Sequence, residues 1–353
     1  MREGDNSVAV GARTRLQWAT MANRVTAPER QEGDPTGRTL RPQALAEFVG
    51  QQPIRERLQV YIQAAKARKE PLDHVLLLSP PGLGKTTLAY IIAREMGGEI
   101  KVSSGPAIER PGDLAAILTH LSPGDVLFVD EIHRLRPPVE EVLYPAMEDY
   151  KLDIVVGEGP HARSIRLDLA PFTLVGATTR EGLLTTPLRD RFEVVFRFDF
   201  YGHDELAEIL ARAAPRIGCE VDRDAAGELA IRARGTPRIA IRLLRRARDV
   251  AQVSGSKRIS VVAARETLSM LGIDDAGLDV LDRRILTILI DRFDGGPVGL
   301  DTLAAALGED PDTIADLYEP FLISLGFVRR TPQGRVASER AYAHLGRTPT
   351  RLL

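Results

Sequence analysis

Two groups of residues in this 353-residue chain have the types and spacing to handle a nucleoside triphosphate. The first is Gly82-Leu83-Gly84-Lys85-Thr86-Thr87, set between the apolar run His74 to Leu78 and apolar residues at helical spacing that reach Met96. A polyphosphate needs backbone N–H groups pointing inward and the positive end of a helix behind them, and glycines let the backbone come close enough to supply both. Gly82 and Gly84 meet that need. Lys85 then reaches the β- and γ-phosphates, and the Thr86 hydroxyl is placed to hold Mg²⁺, the Walker A arrangement. The pattern asks for glycine where this chain has Ser79, so the reading rests on Gly-x-Gly-Lys-Thr in its strand-to-helix context. The second group lies about 45 residues on, in Asp-Val-Leu-Phe-Val-Asp-Glu-Ile-His-Arg at 125 to 134. Four apolar residues ending in two acids describe a central strand that delivers carboxylates to the nucleotide edge of a parallel sheet. Asp130 is suited to Mg²⁺ through water. Glu131 is suited to polarise the attacking water, which a chain that only bound ATP would not need.

The elements that position these groups follow from the rest of the chain. Residues 1 to 36 carry five basic and five acidic residues and the single Trp18 without a sustained period, and read as a flexible leader. A helix-period segment from Pro53 to Arg68 leads into the phosphate strand. Beyond the phosphate-loop helix the pattern predicts a strand over 100–103, a helix over 113–121 and the Asp130 strand. Two short strands, 152–156 and 164–167, form a hairpin around a Gly-Glu-Gly-Pro turn, and its exposed edge suits a partner contact. A buried strand over 172–177 ends in Thr178-Thr179-Arg180, where a threonine hydroxyl can touch the γ-phosphate or the water. Pro187-Leu-Arg-Asp-Arg-Phe192 and an alternating strand over 194–200 close the first domain.

From Gly202 to Gly272 the pattern is helical throughout, with thirteen basic against nine acidic residues. Its longest helix follows Gly235-Thr236-Pro237, where Arg238 is aimed by the break and Arg242, Arg245, Arg246 and Arg248 read as a solvated face. Residues 275–328 carry a net charge of −8 and residues 329–353 a net of +5. Helices over 278–293, 301–307 and 312–325, then two strands around a Pro-Gln-Gly turn, give a winged-helix order whose wing arginines suit phosphate contact.

A net charge of −2 excludes a wholly basic nucleic-acid binder, so any such surface is local. One cysteine, Cys219, excludes an internal disulfide framework, and the six histidines show no metal-ligand spacing with it. No run approaches the roughly 18 apolar residues of a membrane span, and no signal peptide is apparent, which predicts a soluble, cytoplasmic protein.

The phosphate loop, Asp-Glu-Ile-His-Arg, Glu-Asp-Tyr, Ala-Thr-Thr-Arg, Pro-Leu-Arg-Asp-Arg-Phe and Gly-Thr-Pro-Arg occur in that order before a terminal winged helix, which itself contains Gly-Gly-Pro-Val-Gly-Leu. From about Leu40 to its C-terminus the chain thereby resembles the RuvB family, AAA+ motors that drive branch migration of Holliday junctions. The resemblance implies an α/β AAA+ P-loop ATPase domain with a parallel sheet (37–201), a helical lid (202–272) and a C-terminal winged-helix domain (273–353). It implies ATP and Mg²⁺ as cofactors, with Leu40, Arg41 and Tyr201 at the adenine and ribose, and Gly82, Lys85, Thr86 and Thr87 at the phosphates. Glu148, Asp149 and Tyr150 match a segment that lines the same site. Thr179 resembles sensor 1, Arg238 the cis-acting sensor 2, and Arg191 the arginine finger offered to a neighbouring subunit. Arg330 and Arg335 match the DNA-contacting arginines, whereas Pro311 stands where members usually carry another basic residue. Implied partners are the Holliday junction and duplex DNA, RuvA through the hairpin at 151–169, the RuvC resolvase in a larger complex, and five further copies in a homohexameric ring. A clamp-loader-type ATPase would carry a Ser-Arg-Cys finger and a collar, in place of Asp190-Arg191-Phe192 and a winged helix. An ATP-gated DNA-binding regulator would not need Glu131.

Overall fold

A computed structural model describes residues 40–156 and 163–349, with the backbone alone at 154–156 and 163–165. The leader and the hairpin turn at 157–162 lie outside the described residues. Packing divides the chain into two compact units, one of residues 41–79 and 83–199, the other of residue 40, 80–82 and the chain from Phe200.

In the first unit, helix α1 (Gln52–Arg68) precedes β1 (Val75–Leu78), and the phosphate loop leads into α2 (Lys85–Met96). Then follow β2 (Ile100–Ser104), α3 (Pro111–Thr119), β3 (Val126–Asp130), α4 (Pro137–Glu148), β4 (Lys151–Val156), β5 (Arg163–Asp168), β6 (Thr173–Thr178), α5 (Thr186–Arg189) and β7 (Val194–Arg197). Five strands form one parallel sheet in the order β2-β3-β6-β1-β7, so the first strand in the chain lies inside the sheet. Because every strand runs the same way, Ser79, Asp130 and Thr178 emerge at one edge, where α/β sheets bind ligands. All four residues of β1 and all six of β6 are buried, as strands covered on both faces require. The sequence pattern extends β7 to Phe200, whereas it ends at Arg197. Its neighbour β1 stops at Leu78, whose carbonyl takes the last bond from the Phe198 N–H, and beyond that no partner strand remains. Strands β4 and β5 form their own antiparallel hairpin, pairing Lys151 with Asp168 through to Val156 with Arg163, and Arg166 grips Asp153 across it.

His74, just before β1, fastens this sheet from inside. Its Nδ1 accepts the Leu174 N–H at 2.9 Å, so the ring proton sits on Nε2, which donates to the Met147 carbonyl at 3.0 Å. Burial lowers its pKa from the ordinary value. The unfolded chain therefore binds a proton that the folded chain refuses in the window below an ordinary histidine pKa of about 6.5. The contribution of His74 is complete above that pH and is lost as pH falls from there toward the lower folded value. Melting temperature measured from pH 8 to pH 5 should fall on the acid side, and a His74→Gln protein should lose that part of the slope; an identical slope in both would refute the assignment.

In the second unit the helices are α6 (His203–Arg216), α7 (Arg223–Ile231), α8 (Pro237–Val253) and α9 (Val261–Met270). The expected wholly helical pattern is corrected by a parallel pair, β8 (Glu220–Val221) with β9 (Arg258–Ile259). Two-residue strands are too short to show alternation in the sequence. The arginines of α8 are not a fully solvated face either: Arg242, Arg245, Arg246 and Arg248 are all half-buried, and Asp249 pairs with the last two. The chain continues with α10 (Val280–Asp291), α11 (Leu300–Leu307), α12 (Pro311–Thr313), a π-helical turn over Ile314–Tyr318, and α13 (Glu319–Ser324). Strands β10 (Val328–Thr331) and β11 (Gly334–Ala337) make the wing, and α14 (Glu339–His344) follows. Pro311 opens its helix at N1 behind the Asp310 cap, a position where a missing N–H costs nothing. Leu286, Leu289, Leu303, Ile314, Leu322 and Phe327 form the core of this part.

Candidate functional site

The phosphate loop is built as its residues require. Gly82 and Gly84 take φ of +86° and +105°, conformations open mainly to glycine, and Gly84 caps α2. Lys85 is buried, and its Nζ donates to the Ser79 carbonyl at 2.9 Å and to the Ser79 hydroxyl at 3.0 Å. The departure from the glycine pattern thus supplies a second acceptor that orients the lysine at the end of β1. Thr86 and Thr87 occupy the first turn of α2, partly exposed.

Two strands away, Asp130 ends β3 with its Oδ1 accepting the Glu131 N–H at 2.9 Å. Glu131 itself is left-handed, φ +49° and ψ +43°, a conformation that strains a residue with a Cβ and is concentrated at functional sites. The strain is held by packing: a Cβ on Gly105 would lie 2.4 Å from the Glu131 carbonyl oxygen, so only glycine lets that backbone approach. The Glu131 carboxylate is half exposed and pairs with Arg134 at 3.0 Å. On the intervening strand, buried Thr178 accepts the Arg180 N–H at 2.9 Å, and its hydroxyl lies 2.8 Å from His133 Nδ1. Thr179 is the partly exposed neighbour. The Thr178–His133 bond ties the β6 end to the Glu131 turn and has no signature in sequence, because a histidine two residues after the carboxylate is not distinguishable from a surface residue.

Arg191 folds back on α4 in its own chain. It donates to the Pro187 carbonyl at 2.8 Å, pairs with Glu148 at 2.9 Å, and lies 4.2 Å over the Tyr144 ring. Its Nε is buried with no hydrogen-bond partner among the described residues. Asp149 and Tyr150 follow Glu148 at the end of α4, with Tyr150 at φ +54° and its hydroxyl pKa raised by burial. Arg41 stacks on Tyr90, 5.3 Å from the ring centre.

In the second unit, the Leu40 carbonyl accepts from Arg216, and the buried Tyr201 donates its N–H to Gly235. Arg238 lies in the first turn of α8, its N–H on the Gly82 carbonyl at 3.4 Å and its Cβ 3.0 Å from where a Cβ on Gly82 would fall. On the wing, Arg330 and Arg335 are register partners. Both fork onto the buried Glu319, with four N–H···O contacts of 2.7 to 3.2 Å. Burial alone would raise the Glu319 pKa, but the two guanidinium groups outweigh it and hold the carboxyl below its usual value. Arg330 keeps 58% of its side chain exposed and Arg335 only 16%. Glu319 was not visible as a functional residue in the sequence, since its partners lie eleven and sixteen positions away.

Among the described residues no helix is long and apolar enough to cross a membrane. Three family models match in succession: the Holliday junction DNA helicase RuvB P-loop domain over residues 40–198, the RuvB AAA lid domain over 201–274, and the RuvB C-terminal winged helix domain over 275–346. A solved structure of the Thermotoga maritima RuvB Holliday junction branch migration motor is 51% identical and covers 88% of this chain and 99% of its own, with a TM-score of 0.81. Two structures of point mutants of the same Thermotoga protein are 52% and 51% identical, cover 87% and 88% of this chain and 98% and 99% of their own, and give TM-scores of 0.81 and 0.82. A parallel sheet with a phosphate loop and two acids at one edge, joined in one chain to the matching lid and winged helix, leaves one assignment: the chain belongs to the RuvB family of Holliday junction DNA helicases, DNA-dependent AAA+ ATPases.

Proposed function

We propose that the chain hydrolyses Mg²⁺-ATP in a homohexameric ring and uses the free energy to pull duplex DNA, with RuvA holding the junction and RuvC acting in a larger complex. The observation that carries this reading is the convergence of Lys85, Asp130 and Glu131 on one sheet edge in a chain that ends in a winged helix. The division into domains at 37–201, 202–272 and 273–353 is supported by the three successive family matches. A cytoplasmic location fits a DNA-processing protein without a membrane-crossing helix among its described residues.

Mg²⁺ fits the groups present. No cluster of three or more His, Cys, Asp or Glu occurs among the described residues, so the chain offers the ion little beyond the Thr86 hydroxyl and Asp130. That suits Mg²⁺, which keeps waters and takes phosphate oxygens in preference to an all-protein cage. Gly84, Lys85 and Thr87 hold the phosphates beside Thr179, and Leu40, Arg41, Gly82, Tyr201 and Arg238 are the further residues that the family implies for the nucleotide. Tyr150 packs on His74 and Phe172, which precede β1 and β6 at the opposite end of the sheet, and this favours a role for the Glu148–Tyr150 segment at a neighbouring subunit's nucleotide. RuvA docks on β4 and β5. Ile154 and Ile165 are opposite in register there, the place where polar replacements would separate docking from hydrolysis. The deciding experiment measures ATP hydrolysis alone, with four-way junction DNA, and with junction and RuvA together. Stimulation by the last two is expected; hydrolysis indifferent to both would refute the motor reading.

Duplex DNA lies along the wing, with Arg330 the more accessible contact and Arg335 bracing it through Glu319. Each phosphate neutralised contributes about −0.9 to the slope of log affinity against log salt. Arg330→Ala should flatten that slope by about 1 and weaken all sequences alike, and the Arg330→Ala/Arg335→Ala pair by up to about 2. An unchanged slope would mean that the wing faces protein.

A further inference from the structure

Immediately before the Gly235-Thr236-Pro237-Arg238 turn, Arg234 takes φ of +54°, a left-handed backbone for a residue with a long side chain. That backbone sends its guanidinium into the winged-helix part, where it is only 5% exposed. It pairs there with Asp279 at 2.8 Å and with Asp282, and both carboxylates are buried. The same two aspartates cap α10: Asp279 accepts the Leu281 and Asp282 N–H groups, and Asp282 accepts the Asp279 N–H in return. Asp282 Oδ1 has no partner among the described residues. The guanidinium carbon also lies 5.0 Å from the Phe321 ring centre and 5.8 Å from that of Tyr318. Between those aromatics in the chain stands Glu319, the carboxylate that holds Arg330 and Arg335. Thr236, Arg238 and Phe321 line one cleft.

One residue thus joins the two parts, its backbone running straight into the turn that carries Arg238 and its guanidinium lying against the helix that carries the wing's anchor. Stability alone does not account for it, because a buried ion cluster is commonly no more stabilising than apolar side chains of the same volume. The helix it grips begins with the π-helical turn over Ile314–Tyr318, a departure from α geometry of the kind that accumulates at functional sites. We propose that Arg234 is a positioning residue that ties the Gly235–Arg238 turn to the Tyr318–Phe321 segment, so that nucleotide at the motor site and duplex DNA on the wing change each other's affinity. The proposal rests on the reading of Arg238 as nucleotide-sensing and Arg330 as DNA-contacting. Such coupling is reciprocal: whatever factor the nucleotide applies to DNA affinity, DNA applies to nucleotide affinity.

The test measures affinity for a short DNA duplex with and without ATPγS, and for ATPγS with and without the duplex. It compares the wild type, Arg234→Met/Asp282→Leu and Asp282→Asn, with Asp279 kept as the helix cap. In the wild type each ligand should alter the other's affinity by one common factor, in the range of about 5 to 150. In the variants that factor should fall to within about twofold of one, while each affinity alone and the DNA-free kcat and KM stay within about threefold of wild type. A merely structural role would lower the melting temperature without removing the factor. A cooperatively melting variant with the wild-type factor overturns the proposal, as does a wild-type factor of one. Loss of ATPγS binding without DNA also overturns it, because Arg234 would then belong to the nucleotide site. Should the double variant not fold, Asp282→Asn decides, and its failure to fold too would assign the cluster to folding alone. Arg238→Ala tests the underlying reading separately: unchanged ATPγS affinity there refutes the role of Arg238 and not the ionic joint.

Discussion

Glu131→Gln should leave a protein that binds ATP and scarcely turns it over, with kcat reduced by about 10²- to 10⁴-fold, the usual contribution of a positioned general base. The amide keeps the shape of the carboxylate and its place on a turn fixed by Gly105 and Ile132, but it cannot draw a proton from water. Its counterpart is Lys85→Ala, which removes the buried ammonium that Ser79 orients and should weaken nucleotide binding itself. The two variants therefore separate binding from hydrolysis at one site. Nucleotide affinity by titration calorimetry and single-turnover rates distinguish them. Wild-type turnover in the Glu131→Gln protein would remove Glu131 from the role of base.

The nucleotide edge was legible because its parts are local. A strand, a glycine loop and a helix start within a few residues of one another, and the constraint that a phosphate imposes on that loop is written in glycine and lysine alone. The Asp130 strand is legible for the same reason. What was hidden depends on contacts between segments far apart in the chain. Nothing near Glu148 announces that it receives Arg191, and nothing near Glu319 announces two arginines on the wing. The parallel pair at Glu220 and Arg258 leaves no trace in the helical pattern because a two-residue strand has no period to detect. By pattern Ser79 is only a departure from glycine, whereas its hydroxyl gives Lys85 a partner that glycine could not supply. In the sequence Arg234 is one more basic residue in a helical stretch. Its left-handed backbone and its two carboxylates appear only when Asp279 and Asp282 are brought to it.

The Arg191→Ala protein should be nearly silent in hydrolysis while still binding nucleotide, since an arginine finger is worth about 10³ to 10⁵ in turnover. Within its own chain Arg191 is held by Glu148, Tyr144 and the Pro187 carbonyl, three contacts that fix the guanidinium near the end of α4. The side chain nevertheless stays 25% exposed, so the group has donor capacity that these contacts leave unused. A guanidinium supplied to a neighbour's phosphates would use that capacity, stabilising the charge that develops on the transferred group. Mixing distinguishes a finger in trans from a residue acting in cis. An Arg191→Ala subunit keeps an intact phosphate loop, and a Lys85→Ala subunit keeps an intact finger. A ring containing both has some sites in which each half is whole, so two inactive proteins should regain part of the ATPase activity when combined. Native mass spectrometry must first show that mixed rings have formed, because an unmixed sample would stay silent for a trivial reason. If mixed rings are present and no activity returns at any ratio, the simple assignment of Arg191 to the neighbour's ATP fails, and the arginine acts either on its own site or in a ring that tolerates no dead subunit.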